Sequence, residues 1–392
     1  MTGNNGSSQN TKTELLHIGD VHLGNKQYSS DKRKEDYVDV FREAIQIGIE
    51  EDVDAVFHTG DLFDSPNPDI EEITVCIEEF SRLNENEIPF LSIVGNHERK
   101  WTSQWMDLFS KEENAYRLGK TPIKIGDVAL FGIDSLRHNE WQNPDNFDLE
   151  SVSDEYTSIV CMHELLSPLV RNDISSCSVE DVLNRLSFVP DILALGDSHT
   201  PSSEMVNGCY TYYPGALEKT SVSDSKNHHV VKVTADGERF ETTKIQLTRT
   251  RPLKKVTVNV EENMTKNQLQ TLLKQNSLTS YNPDTKSPLC VLCLEGNKPQ
   301  TVSVTDINEM ALELGAEIVH IQDKTNTISE IETDLDIDTN TASLSKNINE
   351  RIDEIDITEQ GEEIRSLIET EDEASDVETQ VNNIIAGDTN ES

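Results

Sequence analysis

From Glu14 to about Gln246, short apolar runs alternate with longer amphipathic stretches. LLHIG leads to DYVDVFREAIQIGIEE, whose apolar residues recur at helical spacing; then come DAVFHTG, a helical EEITVCIEEFSRLNE, and FLSIVG. Apolar runs alternating with helix-period stretches predict βαβ units around a largely covered sheet. The later runs DVALFGI, YTSIVCM, DILALG, YTYYPG and HHVVKVTA have fewer helices between them and predict a second sheet packed on the first. Near Arg249 the character changes. KKVTVNV, NQLQTLLKQN, PLCVLCLEG, DINEMALELG and EIVHIQ predict a separate small β-α-β-α-β unit. The expected division is a disordered start (1–13), an α/β domain (14–248), a small α+β domain (249–323) and a tail (324–392).

The tail is strongly acidic, and no aromatic residue follows Tyr281, so it is too poor in apolar surface to fold unaided. Within it Leu344, Ile348, Ile352 and Ile355, then Ile364, Leu367 and Ile368, fall at helical spacing. Two short amphipathic helices docking on a partner are expected there; a solvated tail with frayed helices is the plain alternative.

Charge changes the picture more than length does. The 392 residues carry 33 basic and 73 acidic side chains, a net charge of -40. The acid is spread over ordinary helix faces such as IEEDVD and IEEF, which favours adaptation to a concentrated salt medium over a dedicated acidic docking patch. No run approaches the roughly 18 apolar residues of a membrane span, so a cytoplasmic protein without membrane contact is expected. The six cysteines are scattered. Only Cys290 and Cys293 form a CxxC, and their apolar surroundings predict a buried strand rather than a zinc or redox site.

Five apolar strands end directly in metal-ligand residue types: LLHIGDVH, VFHTGDLFD, LSIVGNHE, SIVCMHE and LALGDSH. Carboxyl ends of strands open onto the ligand crevice of α/β sheets, so these side chains converge from distant parts of the chain. The set is Asp20, His22, Asp61, Asn96, His163, Asp197 and His199. Its mixed imidazole and oxygen donors suit Mn²⁺, Fe²⁺ or Zn²⁺, and its size fits two ions about 3.5–4 Å apart bridged by a carboxylate, with Asp61 the candidate bridge. His17, His58, His138, His228 and His229 lack this context.

GDVH, GDLFD, GNHE, CMHE and GDSH resemble the five blocks of the calcineurin-like metallophosphoesterases, whose fold is an α/β/β/α two-sheet sandwich. Within them the chain is most similar to the SbcD and Mre-eleven nuclease family of the DNA double-strand-break repair complex. HLGNKQY, YPGALEKTS and RTRPLKKVTV carry that narrower likeness, and the acidity resembles haloarchaeal members. The resemblance implies a Mn²⁺-dependent DNA 3′–5′ exonuclease and single-strand endonuclease holding two Mn²⁺ ions, with Mg²⁺ or another divalent ion as the alternative. It implies a first metal site of Asp20, His22, Asp61 and His199, and a second of Asp61, Asn96, His163 and Asp197. His97 would stabilise the scissile phosphate or protonate the leaving oxygen. Residues 249–323 would be a capping domain.

Two residues depart from the family. Asp197 stands where most members have histidine, adding negative charge that favours harder ions. Asp64 stands where the nucleases have a second catalytic histidine; it either orients the His97 ring or is one more surface carboxylate. Lys26 and Tyr28, with Lys32, Arg33 and Lys34 after them, form the nearest thing to a DNA-facing segment, a plain solvated loop being the equal alternative for the last three. The partners implied are an SMC-like ATPase (Rad-fifty or SbcC), DNA ends and a second copy of the chain, the last through helices near residues 68–85 and 101–112. A phosphatase or phosphodiesterase of the same fold, or a catalytically weak DNA-end scaffold, are the rival readings.

Overall fold

The computed structural model describes residues 12–110, 114–221, 227–236, 239–275, 286–297, 299 and 301–326. They fall within one compact unit, Met1–Asn326. The helices expected near residues 343–356 and 359–369, and most of the N-terminal segment, lie outside the described residues.

Thr13–Ile18, Ala55–His58, Phe90–Ser92 and Ala115–Arg117 run parallel in a first six-stranded sheet, completed on the side of Thr13–Ile18 by His229–Ala235, antiparallel to it, and then Phe240–Gln246, antiparallel to His229–Ala235. The second sheet centres on parallel Val128–Ile133, Thr157–His163, Ile192–Gly196 and Cys209–Tyr213, with Ile123–Ile125 and Ser202–Val206 antiparallel at its edges. Leu15, Phe57, Leu91 and Ile93 from the first sheet meet Leu130, Ile159, Cys161 and Ile192 from the second, so the inner faces form one core.

Helices cover the outside. Asp31–Glu50 turns Tyr37, Val40, Phe41, Ala44 and Ile45 inward at helical spacing, and Ile70–Glu85 adds Phe80 and Leu83. Side chains such as Phe41, Phe80 and Phe90 are fully buried, worth roughly 1.5–3 kcal/mol each. Val179–Arg185 packs on the second sheet's outer face. The expected α/β/β/α sandwich is therefore the observed architecture.

Leu253–Val260, Leu289–Asn297 and Ile318–Asn326 form a third, wholly parallel sheet, with helices Lys266–Gln275 and Val304–Glu313 on one face. Cys290 and Cys293 are buried in the central strand, and Cys290 belongs to the helix-covered core while Cys293 faces the opposite side with Leu289, Val291 and Ile318. An odd separation along a strand puts them on opposite faces, which is why this CxxC makes no site. Arg33 corrects a sequence expectation. It is not part of a DNA-facing loop but is 1% exposed, within the helix, donating to Asp36 at 2.8 Å and to the Lys219 carbonyl at 2.7 Å.

Candidate metal centre

Each strand end delivers its ligand types to one place. Asp20 and His22 follow Thr13–Ile18, Asp61 follows Ala55–His58, Asn96 follows Phe90–Ser92, His163 ends its own strand, and Asp197 directly follows Ile192–Gly196. The loops are stitched together by main-chain hydrogen bonds: the Asp61 carbonyl accepts from Val21 and His22 N–H at 3.1 and 2.9 Å, and Leu217 N–H donates to the Asp20 carbonyl at 3.0 Å. Asp61 itself has φ of 59°, in the left-handed region that L-residues rarely occupy. Gly95 is required opposite it, because a Cβ there would lie 2.1 Å from Asp61 Oδ1.

Asp61 Oδ2 lies 3.8 Å from His22 Nε2 and 3.3 Å from His163 Nε2, so one carboxylate faces both halves of the predicted set. In the first half, His22 Nε2 and His199 Nε2 are 3.1 Å apart and Asp20 Oδ2 is 3.5 Å from His199 Nε2. In the second, the Asn96 side-chain amide lies 2.9 Å and Asp197 Oδ1 3.9 Å from His163 Nε2. All seven predicted ligand residues are thus brought together.

The donor set fits divalent cations. His163 Nδ1 donates to the Thr59 carbonyl at 2.7 Å, so Nε2 turns its second site toward the carboxylates. Asp20 Oδ2 is buried with no hydrogen-bond partner among the described residues. Burial alone would lower the His163 and His22 pKa values. Asp61, with Asp20 and Asp197, raises His163 instead, and a hydrogen bond to Asp64, with the charges of Asp61 and Asp20, raises His22. Burial raises the Asp61 carboxyl, but His163 and His22 outweigh it and hold it below the usual range. Asp197 is pushed up by burial and by Asp20 and Asp61. This field favours positive charge at the convergence point, as protons on the imidazoles or as cations between them.

Asp64 faces two rings. Its Oδ1 is 3.3 Å from His22 Nδ1, 3.6 Å from His97 Nδ1, and accepts from Asn25 Nδ2 at 2.9 Å. His97 is half exposed; its N–H donates to Asp61 Oδ1 at 3.0 Å, and its Nδ1 lies 3.3 Å from the Asp64 carbonyl. Lys26 pairs with Asp31 at 2.7 Å, and Tyr28 stacks on His320 with centroids 4.2 Å apart, against the third sheet. Lys32 reaches Glu317 at 2.6 Å, and Lys34 pairs with Glu72 and Glu71.

Glu98 is the residue that sequence reasoning passed over. Its Oε2 accepts from Phe63 N–H at 3.0 Å and its Oε1 from Gly95 N–H at 3.1 Å, clamping the GDLFD and GNHE loops together. Burial, aided by Asp61, pushes its carboxyl up to about 7 against those two donors. The available signal was an acid directly after GNH in a run that had to turn back under the sheet. Thr220 is a second such residue, its hydroxyl hydrogen-bonded to His199 Nδ1.

Residues 13–231 match the calcineurin-like phosphoesterases. The chain is 32% identical over 313 residues to the DNA double-strand break repair protein Mre11 of Methanosarcina mazei, across 79% of this chain and 49% of that protein. With the protein of the same name from Haloferax volcanii it shares 29% identity over 348 residues, 88% of this chain and 75% of the relative. For Halobacterium salinarum the figures are 32% over 225 residues and 57% of each chain. The chain spans about half the length of the two Methanosarcina relatives it matches.

Proposed function

Because the chain belongs to the calcineurin-like phosphoesterases and resembles their Mre11 branch, we propose that it is a DNA-repair nuclease that hydrolyses phosphodiester bonds with two divalent ions, Mn²⁺ by preference. The carrying observation is Asp61, whose one carboxylate lies within 4 Å of His22 and of His163. Asp20, His22, Asp61 and His199 would hold one ion, and Asp61, Asn96, His163 and Asp197 the other. When bound, the pair would offset the phosphate's charge and acidify the attacking water.

The chain's own residues do the rest. His97, tethered through its main-chain N–H to Asp61 and half exposed, is the group that stabilises the scissile phosphate or gives a proton to the leaving oxygen. Asp64 lies behind His22 on the side away from Asp61 and is the carboxylate that fixes the His22 tautomer and strengthens its donor nitrogen. Its role toward His97 is the weaker one at 3.6 Å, since the Asp64 main-chain carbonyl already stands nearer that ring nitrogen.

Net charge of -40 opposes DNA binding. Molar salt screens the repulsion and equally weakens phosphate contacts, so affinity rests on the ions, hydrogen bonds and partners. Residues 249–323 serve as the capping domain, the tail docks an SMC-like ATPase, and a second copy pairs through Ile70–Glu85 and Trp105–Phe109, the helix that the described residues hold within the expected 101–112 stretch. The chain then works in the cytoplasm on DNA ends.

The test is incubation with linear DNA in high salt, with and without Mn²⁺. Degradation only with the ion is expected. Hydrolysis of a chromogenic phosphomonoester with DNA untouched would favour the phosphatase reading, and binding of DNA ends with no hydrolysis of either would favour the scaffold.

A further inference from the structure

Trp101 is 86% exposed, the highest value among the large apolar side chains of the described residues. Its neighbours do not share that fate: Trp105 donates through Nε1 to the Pro66 carbonyl at 3.0 Å and packs on Phe63, and the Lys100 ammonium lies 4.4 Å from the Trp105 ring centre. Trp101 follows His97 by four residues, so their Cα atoms lie within about 14 Å. The Arg137 guanidinium carbon sits 3.7 Å from the centre of the Trp101 ring.

The loop that brings Arg137 is anchored on the metal centre. Ser135 N–H donates to the Val94 carbonyl at 2.9 Å, two residues before Asn96, and Leu136 N–H donates to Glu164 Oε1 at 2.6 Å, next to His163. Arg99 closes the arrangement, donating to the Ser135 carbonyl at 2.6 Å and to both Glu140 oxygens at 2.7 and 2.6 Å. An indole with a cation against it is therefore held at the rim of the site by fixed loops, with most of its surface open to solvent.

We propose that Trp101, backed by Arg137, is a stacking platform for an unpaired nucleobase of the strand being cleaved. This rests on the proposed nuclease reading and names how substrate is gripped. Stacking on an aromatic ring is available to any base and does not depend on counterion release, which is the form of affinity a chain of net charge -40 can keep in concentrated salt. The guanidinium adds one positive charge where a sugar-phosphate strand must pass.

The experiment measures anisotropy of a labelled duplex with a single-stranded overhang, phosphorothioate-linked so that it is not cut, with Mn²⁺ present. Trp101→Ala should weaken binding roughly 5- to 100-fold, the range for one stacked base, at low and at molar salt alike, and Trp101→Phe should recover most of it. Moving an abasic nucleotide along the overhang should reveal one position that reproduces the loss in the wild type and adds nothing in Trp101→Ala. Wild-type affinity in Trp101→Ala, a loss that persists unchanged for every abasic position, or a change from dimer to monomer in Trp101→Ala would each overturn the proposal. A wild type that splits a chromogenic phosphodiester but not DNA would sink the nuclease reading alone, because binding is read without cleavage.

Discussion

Asp36 holds one of the strongest charge clusters in the molecule. It is 1% exposed and accepts from Arg33 Nη1 at 2.8 Å, Arg251 Nε and Nη2 at 2.5 and 2.9 Å, and Lys286 Nζ at 2.8 Å. Helix Asp31–Glu50 is thereby tied to the start of the third sheet. Asp36→Ala would leave two buried guanidinium groups without their shared carboxylate, and breaking a buried pair costs about 3–5 kcal/mol. Arg33 keeps Glu218 at 3.5 Å and Arg251 keeps Glu317 at 2.6 Å, so the lower end, about 3 kcal/mol, is expected. Burial pushes the Asp36 carboxyl up, but hydrogen bonds from Arg251 and Lys286 outweigh it and hold it below the usual range. A depressed folded-state pKa gives stability that is present above the unfolded value, near 3.9, and lost as pH falls through the folded one. Urea unfolding of the full chain at pH 7 should show the deficit at low and molar salt alike, since buried pairs are poorly screened, and the gap should narrow toward pH 3. A deficit below about 1 kcal/mol, or one that vanishes in molar salt, would refute this assignment of stability to the buried cluster.

Gly95→Ala should cut DNA hydrolysis about 100-fold or more with the fold intact by circular dichroism, because the new Cβ would sit 2.1 Å from Asp61 Oδ1 and displace it. Steady-state rates near wild type would show that Asp61 need not be held there. Asp64→Asn should raise the Mn²⁺ concentration needed for half-maximal rate about 10- to 100-fold. Combined with His97→Asn, its loss should add if it acts through His22 and fail to add if it acts through His97, which a double-mutant cycle on one DNA substrate decides. Truncation after Lys324 should abolish co-purification of the ATPase and leave nuclease rates unchanged; undiminished co-purification would place the docking segment elsewhere.

What was legible in the sequence follows from how each feature is built. The convergence of the seven candidate residues could be read because every one sits within a few residues of the end of a buried strand, where an apolar run stops abruptly at Asp, Asn or His. Glu98 offered only its place after GNH and Thr220 no signal at all, since their partners Phe63, Gly95 and His199 are brought to them only by the fold. Ser202–Val206 and Phe240–Gln246 are sheet edges with mostly exposed or half-exposed residues, so neither carries an apolar run. Ala115–Arg117 and Ile123–Ile125 are too short for any period to register. Arg33 looked like its neighbours Lys32 and Lys34, but the helix begins at Asp31, and a step of about 100° per residue turns only the middle one inward.

The two-ion reading stands or falls on Asp61. Bound Mn²⁺ per chain, measured by equilibrium dialysis with elemental analysis, and hydrolysis of linear DNA should be followed on the same samples of wild type and Asp61→Ala. The account predicts two ions and DNA cleavage in the wild type, with fewer ions and no detectable cleavage in a folded Asp61→Ala, because the two cations would lose the carboxylate that shields them from each other. Full metal loading with wild-type rates in the variant would contradict it.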